Sequence, residues 1–199
     1  LLTHTSGLPD EFPDNTALRR ARAPLSEFVA RICAMPPESL LYYPGTDIAY
    51  QSTGLCLLGA VVEALSGLSL PRFLATRVFD PLDMKDTTLG EAAARQQGAY
   101  AARREAATVL TEQTEFMALN GVVAGAASED TAWNWNSDYW RTLGAPWGGL
   151  LTSVEDTNRF CQVFVNGGVD LPSGARLLSQ RTVELMTTPQ THVGSWREG

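Results

Sequence analysis

Residues 42–67, YYPGTDIAYQSTGLCLLGAVVEALSG, constrain the fold of this chain more than any other stretch. Pro44 fixes one backbone angle, and Gly45 supplies the permissive backbone of a sharp reversal. A helix follows. Leu58, Val61, Val62 and Leu65 fall at i, i+3, i+4 and i+7, the apolar stripe of an amphipathic helix. Ser52 or Thr53 is its natural N-cap, and Gly67 stands where a left-handed C′ residue belongs. Between turn and helix lies Tyr50-Gln51-Ser52. Residues i and i+2 of extended backbone point to one side, so Tyr50 and Ser52 are expected to face one pocket at a helix N-terminus. The partial positive charge of that end favours a phenolate placed there. Chemistry is one reading of this place; a buried tyrosine followed by a helix cap is the other, and on spacing alone the stronger.

The rest of the chain narrows the class. Its 199 residues allow one large domain with a sizeable core, and a net charge of −7 excludes nucleic acid and anionic membrane surfaces as expected partners. The longest apolar run, Leu55 to Val62, is far shorter than the roughly 20 residues of a membrane span. Cys33, Cys56 and Cys161 have no metal-ligand spacing, their odd number argues against a disulfide framework, and two of them are read on apolar helical faces. No G-x-S-x-G elbow, phosphate loop or H-E-x-x-H occurs, so neither a metal nor a cofactor is expected.

In chain order, residues 1–23 read as a loop, with Pro9, Pro13 and Asn15 breaking any period. His4 is one of two histidines; a structural turn is the stronger reading than a general base. Asp10 and Glu11 read as solvated loop carboxylates, with contact to a polar substrate as the alternative. Leu25, Phe28, Val29 and Ile32 mark a helix that Pro36-Pro37 terminates. Ser69 caps a short helix carrying Phe73, Leu74 and Val78, with Pro71 in its first turn. Helix-forming residues at 92–97 and short strands around Thr108-Val109 and Val122-Val123 are expected next. Trp133, Trp135, Tyr139, Trp140 and Trp147 then crowd together, as the wall of an apolar pocket or as packing. Packing suits Trp133, Trp135 and Trp140, while Trp147, just before Gly148-Gly149, is the pocket candidate. Thr152 to Glu155 reads as a capping box before a helix buried through Phe160, Cys161, Phe164 and Val165. Ser179 starts a last helix with Val183 and Met186 inward.

These residues resemble a known family. Leu1-Leu2-Thr3-His4-Thr5-Ser6-Gly7-Leu8, Tyr43-Pro44-Gly45 and Tyr50-x-Ser52 running into Leu57-Leu58-Gly59-Ala60-Val61-Val62-Glu63 are similar to the serine β-lactamase-related family of class C β-lactamases, D-alanyl-D-alanine carboxypeptidases and esterases. Pro81-Leu82-Asp83-Met84-Lys85-Asp86-Thr87 resembles its PLGM-x-x-T segment, and Gly148-Gly149-Leu150 through Asp156 and Phe160 its GGL-S-x-x-D-x-x-x-F segment. The resemblance implies an α+β fold of the β-lactamase/transpeptidase type, in which this stretch is mostly helical with few strands. It implies a metal-free serine hydrolase acting on an ester, amide or lactam carbonyl of a small-molecule or peptide substrate. Tyr50 is then the catalytic tyrosine of the Tyr-x-Asn motif, with Ser52 and Trp147 binding substrate.

Two departures matter. Ser52 stands where the family usually has Asn, which tilts the expectation toward esterase or peptidase over β-lactamase, since one hydroxyl cannot both donate to and accept from an amide as Asn does. The family's Ser-x-x-Lys pair is absent: the single lysine, Lys85, is preceded three residues earlier by Leu82. Residues 1–199 are therefore expected to form one incomplete domain, lacking the nucleophile region and the C-terminal strands, and to be inactive alone. His192-Val193-Gly194 is not the family's third motif, because no strand precedes it. A non-catalytic relative that binds peptides or cell-wall fragments is the competing expectation.

Overall fold

The computed structural model describes residues 1–90 and 137–191. These give α1 (Asn15–Arg20), α2 (Leu25–Cys33), a 3-10 turn (Pro37–Ser39), α3 (Ser52–Ser66), α4 (Leu70–Leu74) running into a π turn (Ala75–Phe79), β1 (Thr88–Leu89), α5 (Asp138–Leu143), β2 (Leu150–Leu151), α6 (Val154–Val165) and α7 (Gln180–Thr187). β1 and β2 pair antiparallel, Thr88 opposite Leu151 and Leu89 opposite Leu150. About half of the described residues are helical and few are in strands, in line with the expected fold class. The helix at 92–97, the strands around Thr108-Val109 and Val122-Val123, Trp133, Trp135 and His192-Val193-Gly194 lie outside the described residues.

Phe28 and Ile32 of α2 bury against Phe12, Ala23 and Cys56, and Trp147 packs on the edge of this cluster. α2 ends ahead of Pro36-Pro37, whose missing amide hydrogens and ring sterics stop a helix. Residues 1–23 are not all loop: α1 forms, and its Arg19 is buried with the guanidinium 4.7 Å from the Trp140 ring centroid. Burial pulls that guanidinium below its ordinary value, opposed by Glu11 and Tyr139. A helix of less than two turns leaves no period to read in the sequence, which is why it was not expected.

α3 turns a different face inward from the one its pattern predicts. Its buried residues are Thr53, Gly54, Cys56 and Gly59, whereas Val61 and Leu65 of the expected stripe are exposed. The reason is distance. A Cβ on Gly59 would lie 3.1 Å from Leu70 Cδ2 and 3.3 Å from Pro146 Cγ, so the helix approaches its neighbours through small residues. Gly67 ends α3 at φ 68°, as expected of a C′ glycine. The Glu63 carboxylate then accepts the Leu70 amide at 2.8 Å and starts α4 in place of the expected Ser69 side-chain cap. No single helix among the described residues is long and apolar enough to cross a membrane; α3 and the segment Leu70–Phe79 suffice together but bend by 72°.

A second cluster joins Phe79, Leu82, Met84 and Val163. α6 buries Asp156 and Val163, with Phe160 and Phe164 half-buried, whereas the Cys161 and Val165 expected inside are exposed. Its cap is Ser153, whose Oγ accepts the Asp156 amide, one residue later than the box at Thr152. Asp156 Oδ2 accepts the Asp86 amide at 2.7 Å and the Thr87 hydroxyl at 2.9 Å. This carboxylate ties the 81–87 segment to α6, the two stretches matched by the last sequence resemblances. In α7, Val183 is buried but Met186 is exposed. Of the three cysteines only Cys56 is buried, and burial foremost, with Cys33 second, pushes its thiol up to about 12.

Candidate active site

The Tyr50 region is built by a loop more than forty residues upstream. Residues 4–10 lie along residues 41–53 and exchange bonds with them repeatedly. Leu41 donates its amide to the Gly7 carbonyl at 2.8 Å, Gly45 to Thr5 at 2.7 Å and Ala49 to His4 at 3.1 Å. Gly7 has φ 77°, and a Cβ there would lie 2.1 Å from the Tyr42 carbonyl oxygen, so this contact admits only glycine. Gly45 holds φ 85°, as the turn chemistry requires.

Gln51 is extended, at φ −153° and ψ 117°, and its side chain is fully buried. Its neighbours Tyr50 and Ser52 therefore share the opposite side: Tyr50 is 41% exposed and Ser52 half-buried. The shared side agrees with the i, i+2 spacing. The cap departs from the expected one. Gln51, not Ser52 or Thr53, occupies the N-cap and makes no side-chain cap bond. Instead the Ser52 amide donates to Asp10 Oδ1 at 2.6 Å, and the Thr53 hydroxyl donates to the Pro9 carbonyl at 2.6 Å. Asp10 is thus neither a free surface carboxylate nor a substrate contact at this oxygen. A carboxylate also suits a helix N-terminus electrostatically. Ser6 Oγ donates to Gln51 Oε1 and fixes the buried side of the segment.

His4 takes the turn role expected of it. Its φ is 55°, its carbonyl accepts the Ala49 amide and the Tyr42 hydroxyl, and its Nδ1 accepts the Gln51 amide at 3.3 Å. Its ring lies 5.0 Å from that of Tyr50, tilted by 32°. Tyr42 and Tyr139 donate their hydroxyls to the carbonyls of His4 and Ala23. The Tyr50 hydroxyl has no hydrogen-bond partner among the described residues. Ser6, Gln51 and the capping role of Asp10 were not foreseen, because nothing local in the sequence marks a partner at such separation.

Trp147 is half-buried, its ring 5.9 Å from Phe28 and 6.0 Å from Trp140. Trp140 is itself buried, in line with a packing role. The structure brings Tyr50 and Ser52 together, while Trp147 belongs to the aromatic group on α2 and α5. A cavity of about 760 Å³ lies among α2, α3, α4 and α5, lined by Leu25, Val29, Ala60, Glu63, Arg72 and Leu143 among others, and neither Tyr50 nor Ser52 borders it. Among the described residues no cluster of three or more His, Cys, Asp or Glu could hold a metal ion.

Comparison with sequence families matches the Beta-lactamase family over residues 1–199. The chain belongs to that family. It is 32% identical over 187 residues to penicillin-binding protein 4 of Amycolatopsis lactamdurans, covering 94% of this chain and 42% of that protein. It therefore spans less than half the length of this curated relative. A penicillin-binding protein homologue from Caulobacter crescentus matches structurally with a TM-score of 0.62 at 19% identity, over 96% of this chain and 50% of that one. The D-amino acid amidase of Ochrobactrum anthropi matches with a TM-score of 0.53 at 21% identity, over 92% and 44%. The match spans both the 4–10 loop and the 42–67 stretch that it clasps.

Proposed function

We propose that residues 1–199 carry the tyrosine wall of a serine hydrolase site that cleaves an ester, amide or lactam bond through an acyl-enzyme. Esters and peptides are favoured over β-lactams as substrates. The observation that supports this reading is the state of Tyr50: half-exposed, its ring against His4, its hydroxyl without a partner among the described residues, and Ser52 beside it at the start of α3. The serine of a Ser-x-x-Lys pair supplied from outside these residues attacks the carbonyl carbon. Its proton passes to Tyr50 and the lysine, and from them to the leaving group as the bond to the carbonyl carbon breaks. Water then attacks the acyl carbon, its proton returns through the same groups to the serine oxygen, and the acid departs. Ser52 presents one hydroxyl to the substrate, and Trp147 is the proposed apolar contact.

The test is Tyr50→Phe in the protein that carries the serine–lysine pair, assayed with a chromogenic ester. Acylation is expected to slow by roughly 10²–10⁴-fold, the usual worth of a general acid–base group. Melting temperature should move little, since even an ordinary hydrogen bond contributes only about 1 kcal/mol. Normal turnover by the variant would leave a structural tyrosine. A wild-type protein that binds peptide without turnover would point to the non-catalytic relative instead.

A further inference from the structure

We infer that His4 is the positioning residue for the Tyr50 hydroxyl, acting through one edge and the ring stack of a single imidazole; this rests on the proposed role of Tyr50. The His4 backbone is held by three hydrogen bonds that do not involve Tyr50. It is in the left-handed region, which Asn, Asp and His enter more readily than bulkier residues. Its carbonyl accepts from Ala49 and from the Tyr42 hydroxyl, and its amide donates to Leu1 at 3.1 Å. From that fixed base, Nδ1 accepts the amide of Gln51, the residue directly after Tyr50. The imidazole proton is then on Nε2, and the ring face meets the Tyr50 ring at a centroid distance of 5.0 Å. One side chain thereby sets both the backbone next to Tyr50 and the plane of its ring.

The arrangement has little redundancy on the ring. Tyr50 is 41% exposed, and its hydroxyl has no anchor among the described residues. The backbone on either side is secured, by Ala49 on His4 and by Ser52 on Asp10. The rotation of the phenol about its Cα–Cβ and Cβ–Cγ bonds is what remains to be fixed, and the His4 ring is the aromatic partner that meets it. A displacement near 1 Å can cost about 10²-fold in rate even when no reacting group is removed. His4 touches neither the substrate nor the reacting atoms in this account; it acts through Tyr50.

A double-mutant cycle in the full-length protein tests this. Wild type, His4→Asn, Tyr50→Phe and the double variant are assayed with a chromogenic ester. Asparagine tolerates the left-handed turn and offers Oδ1 to the Gln51 amide, so it removes chiefly the ring. His4→Asn is expected to lower kcat by about 10- to 10²-fold with KM changed little. In the Tyr50→Phe background the same substitution should cost less than about twofold, because there is no hydroxyl left to position. A cost that is equal in both backgrounds, or full turnover by His4→Asn alone, overturns the inference. Normal turnover by Tyr50→Phe removes the proposed function and this inference together, whereas an impaired Tyr50→Phe beside a fully active His4→Asn removes the inference only. His4→Gln serves as the second variant for the same cycle where His4→Asn melts early.

Discussion

At the start of α6 the Asp156 amide donates to Ser153 Oγ, three residues back; at the start of α3 the Ser52 amide donates to Asp10 Oδ1, forty-two residues back. α5 and α7 follow α6, with Ser137 and Ser179 accepting from Trp140 and Thr182. Such a cap fills the space before the first turn with its own side chain. α3 is built the other way. Its N-cap residue, Gln51, turns into the interior, and the capping carboxylate arrives from the loop behind. The flank carrying Tyr50 and Ser52 is left uncovered by a cap of its own, with Tyr50 exposed and Ser52 half-buried. α4 resembles α3 in this respect, since its first amide, Leu70, donates to the Glu63 carboxylate, seven residues back, so the start of α3 differs from those of α5, α6 and α7 by where its cap comes from.

The comparison can be broken at several points. The largest effect is expected at Gly7, the narrowest contact of the 4–10 loop. Gly7→Ala places a Cβ against the Tyr42 carbonyl at positive φ, so the loop must shift, at a cost of roughly 3 kcal/mol or more in denaturant unfolding. Asp10→Ala removes a charge-assisted cap and should cost about 2 kcal/mol, together with turnover, because α3 loses the bond that fixes Ser52. Ser153→Ala should cost about 1 kcal/mol, as for an ordinary N-cap, and leave turnover unchanged. If urea midpoints put Asp10→Ala and Ser153→Ala level, with turnover intact in both, the distinction between the two helix starts collapses. The smallest effect concerns pH. Burial pushes the Tyr139 hydroxyl up to about 12, whereas an unfolded tyrosine ionises near about 10. Tyr139 therefore costs the fold nothing below the lower value, and stability falls as pH rises between the two because the unfolded chain gives up its proton first. Tyr139→Phe should flatten that alkaline decline in unfolding midpoints.

What the sequence disclosed follows the range of the forces involved. The turn at Gly45, the C′ glycine at 67, the Ser179 cap and the extent of α2 each depend on residues within one helical turn, and each reads directly. The shared side of Tyr50 and Ser52 follows from backbone period alone. Asp10 looked solvated because its partner amide lies forty-two residues on. Apolar periodicity points to the wrong face of α3 because it records where large residues recur. The packing of α3 depends instead on where large residues are missing, at Cys56 and Gly59. Cys161 and Val165 lie outside for a related reason: α6 buries a carboxylate, Asp156, that hydropathy assigns to solvent.

The reach of the 4–10 clasp carries a kinetic consequence. Bringing its ends together closes a chain segment of about forty residues, an entropic cost on the order of 3 kcal/mol before any of its bonds is made. α2 and α6 need no such closure for their own turns, and helical turns form on the submicrosecond to microsecond scale. Refolding followed by pulsed hydrogen exchange should therefore protect the amides of α6 first. The amides of Gln51 and Ser52, whose acceptors are His4 and Asp10, should gain protection only once the chain's distant halves of this loop have met. Tyr50 is thus expected to come into its setting late in folding, when the backbone around it has little freedom left.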